Sequence, residues 1–166
     1  INDGSGNNNP NSDGDVHCWG TAAHFYGSPT NVGSGAAIYS NSGAFAVLKS
    51  DGSIETWGIA TAGGFSQGPD STDTGYTDVF ASNSMFAATK QSGDLTVWPT
   101  ISDDEDHRIP PASLDGFDGF LVSTFQSMCV LANRNGASGG VWCWGANSHL
   151  TNYPESDSDT GFLEIF

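Results

Sequence analysis

Apolar positions fall in short runs broken by polar, glycine-rich turns, and one three-part pattern recurs along the chain. The first part is Ala37-Ile-Tyr-Ser-Asn41, Val79-Phe-Ala-Ser-Asn83 and Phe120-Leu-Val-Ser-Thr124. The second is Ala44-Phe-Ala-Val-Leu-Lys-Ser-Asp-Gly52, Met85-Phe-Ala-Ala-Thr-Lys-Gln-Ser-Gly93 and Met128-Cys-Val-Leu-Ala-Asn-Arg-Asn-Gly136. The third is Asp15-Val-His-Cys-Trp-Gly20, Ser53-Ile-Glu-Thr-Trp-Gly58, Asp94-Leu-Thr-Val-Trp-Pro99 and Gly140-Val-Trp-Cys-Trp-Gly145, with Trp fifth in each. A helix needs apolar residues three and four apart over about eleven or more positions, and no segment sustains that period. The predicted elements are strands.

Each second part ends in a polar turn closed by Gly52, Gly93 or Gly136, and Asp51-Gly52 is a strong hairpin signal. The second and third parts therefore pair as antiparallel hairpins. The predicted order is strand, tight turn, strand, hairpin, Trp strand, long loop. Trp19, Trp57, Trp98 and Trp144 follow one another at 38, 41 and 46 residues, and the drift places insertions in one loop per unit. A unit of about forty residues with several short strands reads as a propeller blade. The expected fold class is all-β, with about three complete β-propeller blade cores and partial blades at both ends. The expected divisions are a partial blade over 1–35, blades over 36–78, 79–119 and 120–161, and a lone first strand over 162–166. The four Trp residues are expected to fill the core between blades. Trp142 lies two places before Trp144, so the two share a strand face. The loops over 21–35, 59–77, 100–118 and 146–161 are expected to gather on one face, where binding commonly sits.

The pattern Ala44-Phe-Ala-Val-Leu-Lys-Ser-Asp-Gly-Ser-Ile-Glu-Thr-Trp-Gly58 resembles the repeat of the regulator of chromosome condensation family. It looks most like the secreted and microbial branch, to which β-lactamase inhibitory protein II belongs. The resemblance recurs in at least three units and implies a propeller of about seven blades. It implies no catalytic residues. The founding member's exchange and chromatin activities do not carry over, because a formal charge of −15 opposes chromatin binding. Against seven blades, the chain is expected to be an arc of a larger propeller. It opens inside a blade, with Ile1 placed like Ala132 and residues 2–14 as an expanded turn. A start at Ile1 rather than Met fits a processed or partial product. Two further arrangements fit the same ends: a small closed ring, or a strand lent by a second copy.

Charge narrows the partners. With 19 acidic and 4 basic side chains, the surface repels phosphate backbones and anionic membrane. No run approaches the roughly 18 apolar residues of a membrane span. Cys129 and Cys143 fall on the two strands of one hairpin and are placed to form a disulfide. The resembled secreted branch often shows that pairing. Cys18 holds the place of Cys143 in its own unit, and its expected partner would lie just upstream of Ile1. Three buried free thiols are the alternative. A disulfide would place the protein outside the cell, at the cell surface or in an organelle lumen.

The run Asp103, Asp104, Glu105, Asp106, ahead of His107, is a carboxylate set of the kind that binds calcium, with a solvated loop as the alternative. The Cys and His spacings match no zinc motif. His17 is expected to be a structural strand residue. No Gly-x-Ser-x-Gly elbow occurs, and no other catalytic motif stands out. Ser- and Thr-rich loops could carry O-linked glycans. The expectation is a non-catalytic module that binds a protein partner, or copies of itself, through the loops after the Trp strands. A structural subunit of an extracellular filament or larger complex, joined through open blade edges, is the alternative. A carbohydrate-binding or hydrolytic propeller is the third.

Overall fold

The computed structural model describes residues 14–33, 36–100, 107–108, 121–134 and 137–146. These contain strands and two short 3-10 turns, Ala22–Phe25 and Ala60–Ala62. The strands are β1 (Ala37–Ser40), β2 (Ala44–Leu48), β3 (Ile54–Gly58), β4 (Tyr76–Ala81), β5 (Phe86–Lys90), β6 (Leu95–Trp98), β7 (His107–Arg108), β8 (Leu121–Ser123), β9 (Ser127–Arg134) and β10 (Ala137–Ala146). They form three antiparallel sheets, ordered β1-β2-β3, β4-β5-β6 and β7-β10-β9-β8. Strand, strand and Trp strand repeat in each, and the sheets pack face to face as propeller blades do.

The turns are built alike. Lys49 N donates to Ser53 O (3.0 Å) and Gly52 N to Lys49 O (2.9 Å); Lys90 N donates to Asp94 O (3.0 Å) and Gly93 N to Lys90 O (2.9 Å). Gly52 (φ 78°) and Gly93 (φ 90°) supply the left-handed residue such a hairpin requires. The tight turn into each second strand also repeats, with Asn41 N on Ala44 O, Ser82 N on Met85 O and Thr124 N on Ser127 O.

That register corrects the sequence alignment at one place. Trp57 lies opposite Phe45, Trp98 opposite Phe86 and Trp144 opposite Met128. Met128 therefore matches Phe45 and Phe86, and Ser127 matches Ala44 and Met85. The third hairpin is longer and carries a register shift between Ala137 and Gly140. An inserted residue in a bulge of this sort is invisible to an ungapped alignment.

Alternation along the strands gives every sheet two unlike faces. Phe86 and Trp98, with rings stacked at 5.4 Å, pack from the second sheet onto Ala44, Ala46, Ile54 and Ala62. Met128, Val130 and Trp144 pack from the third sheet onto Met85, Ala87 and Leu95 of the second. Trp142 joins that cluster beside Trp144. A Trp-bearing face thus meets the preceding sheet at both junctions, on Ala44 and Ala46 at the first and on Met85, Ala87 and Leu95 at the second.

The loops after the Trp strands tie one sheet to the next. Gly58 N donates to Tyr26 O (2.9 Å), the indole Nε1 of Trp98 donates to Gly63 O (3.1 Å), and β7 pairs with Gly145 and Ala146. Gly58 (φ 100°) and Gly145 (φ 110°) follow their Trp in the left-handed region. A Cβ on Gly145 would stand 2.2 Å from Gln126 O.

At the start of the second sheet, Tyr76 Oη donates to Asp73 Oδ2 (2.7 Å) and shares a 2.8 Å hydrogen bond with Thr96 Oγ1. Lys90 bonds Asp73 and lies over the Tyr76 ring. Bonds from Lys90 and Tyr76 hold the Asp73 carboxyl below the ordinary range. Burial raises the Tyr76 hydroxyl to about 12, with the Asp73 carboxylate adding to the effect.

Trp98→Ala is expected to destabilise the protein by about 3–5 kcal/mol, as removal of a buried Trp does, read from denaturant midpoints at constant m. In an ultraviolet phenol titration, Tyr76 is expected to ionise near pH 12, a component that Tyr76→Phe removes. Because that pKa is raised by folding, the stability it contributes is full below about pH 10 and is lost as pH climbs through the folded value.

Candidate functional site

The first Trp element, residues 15–20, joins no sheet among the described residues. Among the described residues, Asp15 bridges to Asn31, Val16 N donates to Thr30 O (3.1 Å), and His17, Cys18 and Trp19 make no backbone hydrogen bond. His17 is exposed and lies outside any strand, contrary to its expected place. Alternation still holds. Val16 and Cys18 pack on Val47 and Trp57 of the first sheet, and Trp19 is not part of that cluster. Trp57 (1% exposed), Trp98 (2%) and Trp144 (0%) are buried, but Trp19 is 88% exposed. The core role expected for Trp19 is therefore corrected. Among the described residues Trp19 belongs to no buried cluster, unlike Trp57, Trp98 and Trp144.

A cleft of about 550 Å³ opens at this end of the stack. Trp57 and Phe45, stacked at 5.4 Å, belong to its lining with Val16, Cys18, Trp19, Phe25 and Ile38. Asp15, His17, Thr21 and His24 add polar groups. Trp57 Nε1 is buried without a hydrogen-bond partner, although its counterpart in Trp98 bonds Gly63 O. Trp19 and Ile38 (54% exposed) are among the exposed large apolar side chains of the described residues. A second apolar hollow, lined by Ala22, Ala23, Tyr26, Ile59, Ala60 and Phe65, carries the Tyr26–Phe65 edge-to-face pair.

Cys129 and Cys143 are in register across the third hairpin and are joined by a disulfide, and Cys18 is a free thiol. Asp103, Asp104, Glu105, Asp106 and Gly136 lie outside the described residues, as does the segment 162–166. Among the described residues no group of three His, Cys, Asp or Glu side chains is placed to hold a metal ion. No helix among them is long and apolar enough to cross a membrane.

Sequence reading singled out Trp19 and Cys18 but not Phe25, Ile38 or Phe45. A signal existed for the last two, since both lie in predicted strands. Their shared opening depends on which face lacks a neighbour, and periodicity does not report that.

No protein-family model and no curated protein matches the chain. Among solved structures it is similar to the crystal structure of the CRINKLY WD40 ectodomain from the Arabidopsis thaliana receptor kinase ACR4, at 16% identity and a TM-score of 0.49. The match covers 80% of this chain and 46% of that one, so the chain spans under half of that structure's length. A similarity of this degree assigns neither family nor activity, and the resemblance to regulator of chromosome condensation repeats rests on the repeat residues alone.

With one disulfide closing 14 residues of separation, alkylation of the native, unreduced protein is expected to label Cys18 alone. Reduction or Cys143→Ser is expected to cost about 3 kcal/mol, as loop closure of that length implies. Intact mass and unfolding midpoints read the two effects.

Proposed function

We propose that this chain is a non-catalytic protein-interaction module of an extracellular, cell-surface or lumenal protein, built from repeats of the regulator of chromosome condensation type. The observation that carries the reading is the apolar cleft beside the first sheet, with Trp19 at 88% exposure in its lining. Contiguous exposed apolar surface rimmed by polar groups marks an interaction site in most soluble proteins. Aromatic anchors such as Trp19 supply a large share of binding energy where they are fully desolvated. The loop after Trp19 contributes Thr21, His24 and Phe25 to the cleft, which supports a reading of binding through a post-Trp loop. The Cys129–Cys143 disulfide supports an oxidising setting. The charge of −15 favours a partner with basic groups around an apolar centre.

A second reading, assembly through open edges, is favoured by His17, Cys18 and Trp19, whose backbone makes no hydrogen bond among the described residues. Free strand edges accept further strands.

A photo-crosslinker placed at Ile38 is expected to capture a protein partner from the native secretion. Trp19→Ala is expected to weaken that capture by at least about 2 kcal/mol, the cost of losing a Trp hot spot. The exposed side chain makes this variant's folding stability equal to that of the parent. Capture unaffected by Trp19→Ala, or turnover of a small substrate at the cleft, defeats the reading.

A further inference from the structure

Two successive post-Trp loops meet at the second apolar hollow. The loop after Trp19 supplies Ala22, Ala23 and Tyr26, and the loop after Trp57 supplies Ile59, Ala60 and Phe65. The hollow measures about 480 Å³ and shares no described lining residue with the cleft. The 3-10 turn Ala22–Phe25 stands between the two, since His24 and Phe25 line the cleft while Ala22 and Ala23 line the hollow. No described lining residue of the hollow carries a charge, and Tyr26 Oη is their one polar side-chain atom.

The surface is preformed. Gly58 N donates to Tyr26 O (2.9 Å), and Phe65 N donates back to Gly58 O (3.2 Å). Thr56 Oγ1 donates to Gly64 O (2.9 Å) and accepts from Gly68 N (3.2 Å), which folds the second loop along the Trp strand. The Phe65 ring packs on Gly27, where a Cβ would stand 2.2 Å from Cδ2, and it meets the Tyr26 ring edge to face at 5.0 Å. Ser66, the neighbour of Phe65, is held at φ 58°, a region that L side chains seldom adopt. With all these contacts made, Tyr26 is still 64% and Phe65 42% exposed. Fixed aromatic surface of this kind binds without the cost of ordering it first.

The lining and the charge select the occupant. A sugar needs several hydrogen-bonding groups and a flat ring to lie on, whereas the described lining offers one hydroxyl and two rings crossed at 70°. Nucleic acid and anionic membrane are repelled by the charge of −15. An apolar side chain matches the hollow, and the charge favours basic residues beside it. The chain has only 4 basic side chains of its own, and of these Lys49 and Lys90 are engaged by Glu55 and Asp73. Asp70, exposed on the loop that carries Phe65, accepts from the hydroxyl and the N–H of Thr72, which hold its carboxyl below the ordinary range and keep it charged. We propose that this hollow docks a basic protein segment that places one apolar side chain against Tyr26, Ile59 and Phe65. The inference deepens the interaction reading, adding to it a second surface and a partner chemistry.

The probe is a phage-displayed library of random dodecapeptides, selected on the full 166-residue chain. Selected sequences are then made as free peptides and measured by fluorescence anisotropy. They are expected to be basic and to share one apolar position. Their affinity is expected to fall by on the order of tenfold in Tyr26→Ala and in Phe65→Ala, to persist in Tyr26→Phe, and to weaken as salt is raised. Gly27→Ala keeps both rings but drives its Cβ into Phe65, and it is expected to weaken binding in the same way. Unfolding midpoints check the fold of each variant. Tyr26→Ala keeps the carbonyl that accepts from Gly58 N and removes a mostly exposed side chain, so it remains informative if Phe65→Ala fails to fold. No enrichment, or enrichment of neutral or acidic sequences, overturns the proposal. Affinity unmoved by Tyr26→Ala overturns it too. Where that affinity falls with Trp19→Ala instead, the interaction reading stands and this inference alone fails.

Discussion

The rest of the structure depends on the packing of each sheet's Trp-bearing face against the apolar face of the sheet before it, which carries Ala44 and Ala46 at the first junction and Ala87 at the second. Trp98 and Phe86 sit on Ala44 and Ala46; Trp144 and Met128 sit on Ala87 and Met85. A buried Trp removes roughly 150–250 Å² from water, worth about 4–6 kcal/mol as an upper estimate. The small residues matter as much as the large ones. A methyl group at Ala46 leaves room for an indole at close-packed density, whereas a leucine there would force the sheets apart. The repeat is thus a rule about two unlike faces, and the Trp is its visible half.

Given those faces, the loops after the Trp strands have a structural task. Tyr26 O, Gly63 O and β7 each bond the Trp strand of the following sheet or its Trp. The partners differ in chemistry but not in place. Pro99 has no N–H to offer where Gly58 and Gly145 have one, and in that unit the indole donates instead. Part of each loop is therefore committed to holding neighbouring sheets together, which narrows the surface left for binding. The parts that remain exposed near the first sheet carry Tyr26 and Phe65, which border one apolar hollow, while the half-buried Phe25 borders the other.

The cysteines fit the same frame. The position before the Trp and the residue facing it hold Thr56 with Ala46 in the first sheet, Val97 with Ala87 in the second, and the disulfide in the third. A covalent bond replaces small-residue contacts at a site every unit shares. Among the described residues, the free thiol Cys18 and the exposed Trp19 belong to one Trp element.

By itself the sequence determined the strands β1–β6 and β8–β10, their order and their hairpins, but not β7, which falls in the expected loop over 100–118. Local physics suffices for these: alternation selects strand over helix, Asp51-Gly52 selects a hairpin, and the recurrence of Trp marks the unit. Which cysteines would pair was also legible, because two strands of one hairpin bring them opposite. Only the tertiary structure decided which Trp is core. Trp19 occupies the same place in its motif as Trp57, yet one is 88% exposed and the other 1%. Burial is a property of two surfaces, and the second surface lies in another unit. The alignment of Met128 with Phe45 needed the structure for a similar reason, since a bulge shifts register without leaving a sign in composition. The cleft needed it most. Phe45 and Ile38 read as ordinary strand residues until the sheet that would cover their face is found not to lie there among the described residues.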